Sequence, residues 1–196
     1  MPLITTLAGA STKGYGGLGA SVGGGGVAGS YESIASFTAG GAGLQTISFT
    51  SIPATFKHLQ IRYVSKNQAA SDTTLLRFNN ESAGQYSYHR LNAYGGFNAD
   101  GSANANNGIL PATSYSGLGA GVYGFGVIDI LEYANTNIYK TVKMRGGFRD
   151  VSSSTGSTAF NSMNWRSLSA ITSIQIIPNP NWVEQYSVFS LYGIKG

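Results

Sequence analysis

From Tyr31 to the end of the chain, apolar residues recur mostly at every second position rather than every third or fourth. That period belongs to extended chain with one face buried and one wet, and it argues against a helical or a β–α alternating fold. The clearest run is His58-Leu-Gln-Ile-Arg-Tyr-Val64. Leu59, Ile61 and Tyr63 should point inward and His58, Gln60 and Arg62 outward. Ile61→Asp is therefore expected to be severe and Gln60→Asp mild. Similar runs lie at Leu44-Gln-Thr-Ile-Ser-Phe49, Thr73-Thr-Leu-Leu-Arg-Phe78, Gln85-Tyr-Ser-Tyr-His-Arg-Leu91, 121–131, 138–145, 158–166, 171–177 and 184–192. Together they make about nine or ten short strands separated by turn residues, the pattern of a β-sandwich or jelly roll. Residues 94–119 are rich in Gly, Asn, Ala and Ser and read as one long, functional or mobile loop.

The first thirty residues behave differently. They hold ten of the 28 glycines and one charge, Lys13. Glycine is costly to order, and the spaced apolar residues Leu7, Tyr15 and Leu18 are too few to close a core. The expectation is an arm, residues 1–30, that lies against a partner through Leu7, Lys13, Tyr15 and Leu18, followed by a compact head over 31–196. Gly14-x-Gly-Gly-x-Gly19 echoes a phosphate loop but has no strand before it and no patterned helix after it.

Only 10% of residues are charged, against about a quarter in ordinary soluble proteins. Such a surface loses little desolvation energy when copies pack together. The net charge of +4 is spread singly, with no Lys/Arg stripe for nucleic acid. The absence of cysteine excludes disulfides and thiolate metal sites. No basic-then-apolar leader opens the chain, and no window approaches the ~20 apolar residues of a membrane span. We expect assembly in a cytoplasm without membrane insertion.

Several segments carry a resemblance. They are Tyr31-Glu-Ser-Ile-Ala35, Phe49-Thr-Ser-Ile-Pro-Ala-Thr-Phe-Lys-His-Leu-Gln-Ile-Arg62, Leu76-Arg-Phe-Asn79 and Tyr88-His-Arg-Leu91. To these are added Ile128-Asp-Ile-Leu-Glu-Tyr-Ala-Asn-Thr-Asn137, Ala170-Ile-Thr-Ser-Ile174 and Phe189-Ser-Leu-Tyr-Gly-Ile-Lys-Gly196. The head resembles a family of virion structural proteins of tailed bacteriophages. Gly9-Ala-Ser-Thr-Lys-Gly-Tyr-Gly16 is similar to the leading segment of some phage fibre proteins. The resemblance implies a particle component on capsid, tail or fibre tip, with threefold association of the head.

Candidate chemistry is sparse. Asp129 and Glu132 are the acids closest in sequence, but residues three apart on a strand face opposite ways, which makes a poor glycosidase pair. A strand-end acid capping the Asn135–Asn137 turn is the structural alternative. The two histidines, His58 and His89, lack metal-ligand spacing, and no Gly-x-Ser-x-Gly elbow occurs. Tyr86, Tyr88 and Arg90 share one face and are candidate interface residues, the alternative being a half-buried strand. Tyr94, Phe97, Asn98 and Tyr115 are candidate host or glycan contacts within the 94–119 segment.

The expectation is thus an all-β antiparallel sandwich, jelly-roll-like, with a glycine-rich arm: a non-enzymatic virion protein without cofactor or metal. Its arm would dock on another virion protein and its head would face outward, as a capsid decoration (cement) protein or a tail fibre or spike component. Expected partners are itself as a homotrimer, other virion proteins and a host surface glycan, not nucleic acid. The alternative is a carbohydrate-binding, lectin-like receptor-binding module.

Overall fold

The computed structural model describes residues 30–68, 73–111, 113–150, 156–179 and 182–196. The expected arm, with Leu7, Lys13, Tyr15 and Leu18, lies outside the described residues. Within them the chain is all-β, with 58% of it in strands and no helix. The strands are β1 Tyr31–Thr38, β2 Ile47–Phe49, β3 His58–Asn67, β4 Thr74–Phe78, β5 Tyr86–Tyr94, β6 Phe97–Ala105 and β7 Gly108–Ile109. They continue as β8 Ser114–Tyr115, β9 Gly124–Leu131, β10 Lys140–Arg149, β11 Gly156–Trp165, β12 Ile174–Pro178 and β13 Val188–Ile194.

Two sheets form a sandwich. The large one runs β1-β13-β3-β9-β10-β11-β5-β6 and the small one β2-β12-β4-β7. All pairings are antiparallel except that of β8, which joins the end of β3 in parallel. The alternation read from β3 holds: Leu59, Ile61 and Tyr63 are buried, while Arg62 and Val64 are exposed. They meet Ile128 and Ile130 of β9, Val142 and Met144 of β10 and Phe189 and Leu191 of β13. The small sheet supplies Ile47, Phe49, Leu76, Phe78, Ile174 and Ile176 to the same core. At roughly 1.5–3 kcal/mol for each large apolar side chain buried, this layer is the main stabilising term of the fold.

Three expectations need correction. Gln60 lies on the outer face yet is buried, because its amide donates to Asp129 Oδ1 at 2.6 Å and its carbonyl accepts from Arg62 Nε at 2.7 Å. Gln60→Asp would set a second carboxylate beside Asp129 and is therefore expected to be costly rather than mild. Tyr86 is a core residue with no surface for a partner: it is fully buried, and its hydroxyl accepts from the Phe78 amide at 2.8 Å. Residues 94–119 are not one long loop, since they contain the nine-residue strand β6 and the short β7 and β8. A tight turn at Tyr94-Gly-Gly-Phe97, with Gly95 at a φ of +64°, folds β6 back onto β5. That left-handed conformation suits glycine, which has no Cβ to clash.

Candidate interaction surface

The small sheet covers one face of the large sheet and leaves the other to solvent. Strand register decides what this outer face presents, because residues directly opposite in antiparallel strands share a face. One row across six strands reads Phe97 (β6), Ala93 (β5), Thr158 (β11), Gly147 (β10), Phe125 (β9) and Val64 (β3). The next reads Ala99, Leu91, Phe160, Arg145, Val127 and Arg62. The third turns polar, with Gly101, His89, Ser162, Lys143, Asp129 and Gln60. Phe97 is 99% exposed, Phe125 58%, Leu91 57% and Phe160 44%. At the β5–β6 end Leu91, Ala93, Phe97, Ala99, Thr158 and Phe160 line an open recess of about 390 Å³ that contains no charged side chain.

The candidate glycan contacts are split between two faces. Phe97 stands on the outer face beside Leu91 and Phe160. Tyr94 and Tyr115 belong to the opposite face, where their hydroxyls lie 3.0 Å apart and both rings pack on Phe148, Tyr115 edge-on at 6.1 Å and Tyr94 tilted at 6.3 Å. Asn98 pairs with Asn92 in the register of that opposite face, and both also border the recess. Tyr88 and Arg90 also lie on the opposite face. Arg90 sits over the Tyr88 ring at 5.8 Å and forms a two-pronged ion pair with Asp100 of β6, its Nε donating at 2.6 Å. Hydrogen bonds from Arg90 hold the Asp100 carboxyl below the usual range. This clamp helps tie β6 to β5.

Nothing in the sequence marks Leu91, Phe125 and Phe160 as surface residues. Each sits in a sequence run that could equally feed the core. Only register puts them beside Phe97.

At the other end of the outer face, the Arg62 guanidinium lies between the Tyr31 and Tyr192 rings, 5.4 and 5.3 Å from their centroids. The carboxylates are mostly engaged in structural contacts. Glu32 pairs with Lys195 at 2.9 Å, Glu132 with Lys57 at 3.5 Å and Glu184 with the buried Lys66 at 3.7 Å. Glu81 accepts from Trp165 Nε1 at 3.1 Å. Asp129 and Glu132 thus have different partners; the Asn135 amide bonds the Glu132 backbone carbonyl rather than its carboxylate. His58 Nδ1 accepts from the Glu132 amide at 3.0 Å. Among the described residues no three His, Asp or Glu side chains gather into a metal-holding group. Lys140 is fully buried, donating to the carbonyls of Ile138 and Ser167 at 2.9 and 3.4 Å, and burial lowers its pKa.

No protein-family model, curated protein or solved structure matches this chain. The site is therefore defined by its chemistry alone: an aromatic and aliphatic row on the open face of the large sheet, with a charge-free recess at its β5–β6 end and Arg145 and Arg62 in the row beside it. Surfaces of that kind bind other apolar surfaces.

Proposed function

We propose that the chain is a structural component of a bacteriophage particle, built in through its glycine-rich N-terminal segment and through its head. The observation that supports this most is the apolar row across the outer face of the large sheet, which ends in the wholly exposed Phe97. A chain with only 10% charged residues that leaves three phenylalanines and a leucine open on one face suits permanent packing among neighbours. Capsid decoration and fibre work both use such a head.

The test is location. Particles of the virus that encodes the chain are banded on a density gradient and probed for it. The full chain should co-sediment with particles, and deletion of residues 2–30 should leave thermal melting unchanged while abolishing incorporation. A full-length chain that stays at the top of the gradient would refute the assignment.

A second reading has one observation in its favour. An open cavity of about 800 Å³ at the end of the sandwich is lined by Tyr123, Phe125, Phe148 and Arg149, the aromatic-plus-cation mix that stacks on sugar rings. A glycan array would report this lectin-like activity directly, and Phe125→Ser should remove it.

A further inference from the structure

We infer that the β5–β6 end of the outer face is a homotypic contact: two copies of this chain pack outer face to outer face about a twofold axis. The inference rests on the reading of the chain as an assembly protein.

Shape comes first. The recess of about 390 Å³ is lined by the small residues Ala93, Ala99 and Thr158 together with Leu91 and Phe160. Phe97 stands at its rim, 99% exposed. A knob and a hole thus lie side by side on one surface. A twofold axis places each copy's Phe97 over the other's Ala93 and Thr158, beside the adjoining Leu91 and Phe160. That is the self-complementarity an isologous contact requires.

Size agrees. An aromatic side chain offers about 150–250 Å². Scaled by their exposures, Phe97, Phe160 and Leu91 at this end present on the order of 400 Å² of apolar surface. A stable interface buries about 800 Å² per partner, of which the core is the apolar part. The polar row of His89, Ser162 and Lys143, with Arg145, supplies the rim.

Charge agrees too. No ionised group lies in the recess, so closing it strands none; Arg145, Lys143 and Arg149 fall at its margin, where the contact must leave them wet. The sheet-on-sheet spacing of about 10 Å is the ordinary one for such faces. A membrane or an unrelated protein would fit an apolar face as such; the adjacent knob and hole single out a second copy. The contact yields pairs, in place of the trimer that the family resemblance implies.

Sedimentation velocity of the full-length chain, from about 1 to 100 μM, tests this. The expected result is a reversible monomer–dimer equilibrium. Phe97→Asp should weaken it by about 100-fold or more, the scale of losing a central aromatic anchor. Melting of the variant, measured at the lowest concentration, should be unchanged because Phe97 makes no core contact. Phe160→Ser should weaken the dimer as well, whereas Leu168→Asp, exposed outside this face, should not. A wild-type monomer at the top of the range, a trimer, or a dimer indifferent to Phe97→Asp would each overturn the inference. Particle banding separates the two claims: an incorporated monomer sinks the homotypic contact alone, and a dimer absent from particles sinks the assembly reading alone.

Discussion

Ile61 sits where the sandwich is least able to relax. It is fully buried, directly opposite Leu191 on one neighbouring strand and Ile128 on the other. Both neighbours are fixed by continuous ladders, so a void at position 61 cannot collapse. Ile→Ala substitutions in cores cost about 2–5 kcal/mol, and a site this constrained belongs in the upper half, about 4 kcal/mol. Ile61→Val should cost about 1 kcal/mol. Val64 is on the same strand but faces outward and is 47% exposed, so Val64→Ala should cost no more than about 1 kcal/mol. With a urea slope of about 2 kcal/mol/M, Ile61→Ala lowers the midpoint by about 2 M and Val64→Ala by less than about 0.5 M. Trp165 is the natural probe, being fully buried with its ring edge-on to Phe78 at 5.6 Å. Titrations at low protein concentration keep association from adding to the apparent stability. Ile61→Asp, which buries a carboxylate without a partner, should leave no cooperative transition, since its cost approaches the ~5–15 kcal/mol that holds a domain together. Equal midpoint shifts for Ile61→Ala and Val64→Ala would refute the assignment of faces on β3, and with it the outer row.

Other outcomes follow from named contacts. Gln60→Asp should cost about 1–3 kcal/mol and be largely rescued by Asp129→Asn, a coupling that a double-mutant cycle in urea reads directly. Gly193→Ala should be strongly destabilising in thermal melts, since an added Cβ would lie 2.3 Å from the buried Phe56 ring, whereas Gly41→Ala, with open space around it, should be tolerated. Burial pushes the Tyr86 phenol up to about 12 and raises Tyr63 and Tyr133 as well. A raised phenol stabilises the fold fully below its unfolded value near 10 and loses that contribution as pH climbs through the folded one. Stability should therefore fall from pH ~10 upward, with Tyr86 alone accounting for about 2–3 kcal/mol by pH ~12, read by phenolate absorbance during denaturation. Asp100 runs the other way: its depressed carboxyl supports the β5–β6 clamp above the ordinary carboxylate value near 4, and that support goes as pH falls further. Protection of the β6 amides, taken relative to the intrinsic exchange rate at each pH, should drop there, and protection indifferent to acid would count against the clamp.

The fold was legible where side chains carry the signal. In β3 the apolar residues alternate because one face meets a second sheet, so period alone locates the core. In β6 no such signal exists. Phe97-Asn-Ala-Asp-Gly-Ser-Ala-Asn-Ala105 is an edge strand that meets the main core through Ala105 at its end and is held by pairing with β5 and by the Arg90–Asp100 clamp. Its residues favour loops on propensity, and tertiary pairing overrides that. The shared face of Tyr86, Tyr88 and Arg90 was legible too, but not its direction: Phe78 of the small sheet covers Tyr86, a contact between strands of different sheets. For the same reason Phe97 could be singled out from sequence while Leu91, Phe125 and Phe160 could not. Their neighbourhood is lateral, set by the register of six strands.

Beyond the main core lies a smaller cluster, Leu118, Val122, Phe148 and Ala159, with Tyr115 against it. Cooperativity needs shared contacts, and this cluster forms a separate group from the main core. The two should therefore respond as distinct tiers in hydrogen exchange. Amides near Phe148 and Ala159 would open at a free energy well below that of global unfolding, while those of Ile61 and Ile128 wait for the whole sandwich to open. A ligand or neighbour settling on the Tyr94–Tyr115–Phe148 end would be shed by the local opening and by global unfolding alike, so it should slow both tiers by the same free energy, and the first tier, which starts from the smaller barrier, would show it as the larger proportional stiffening.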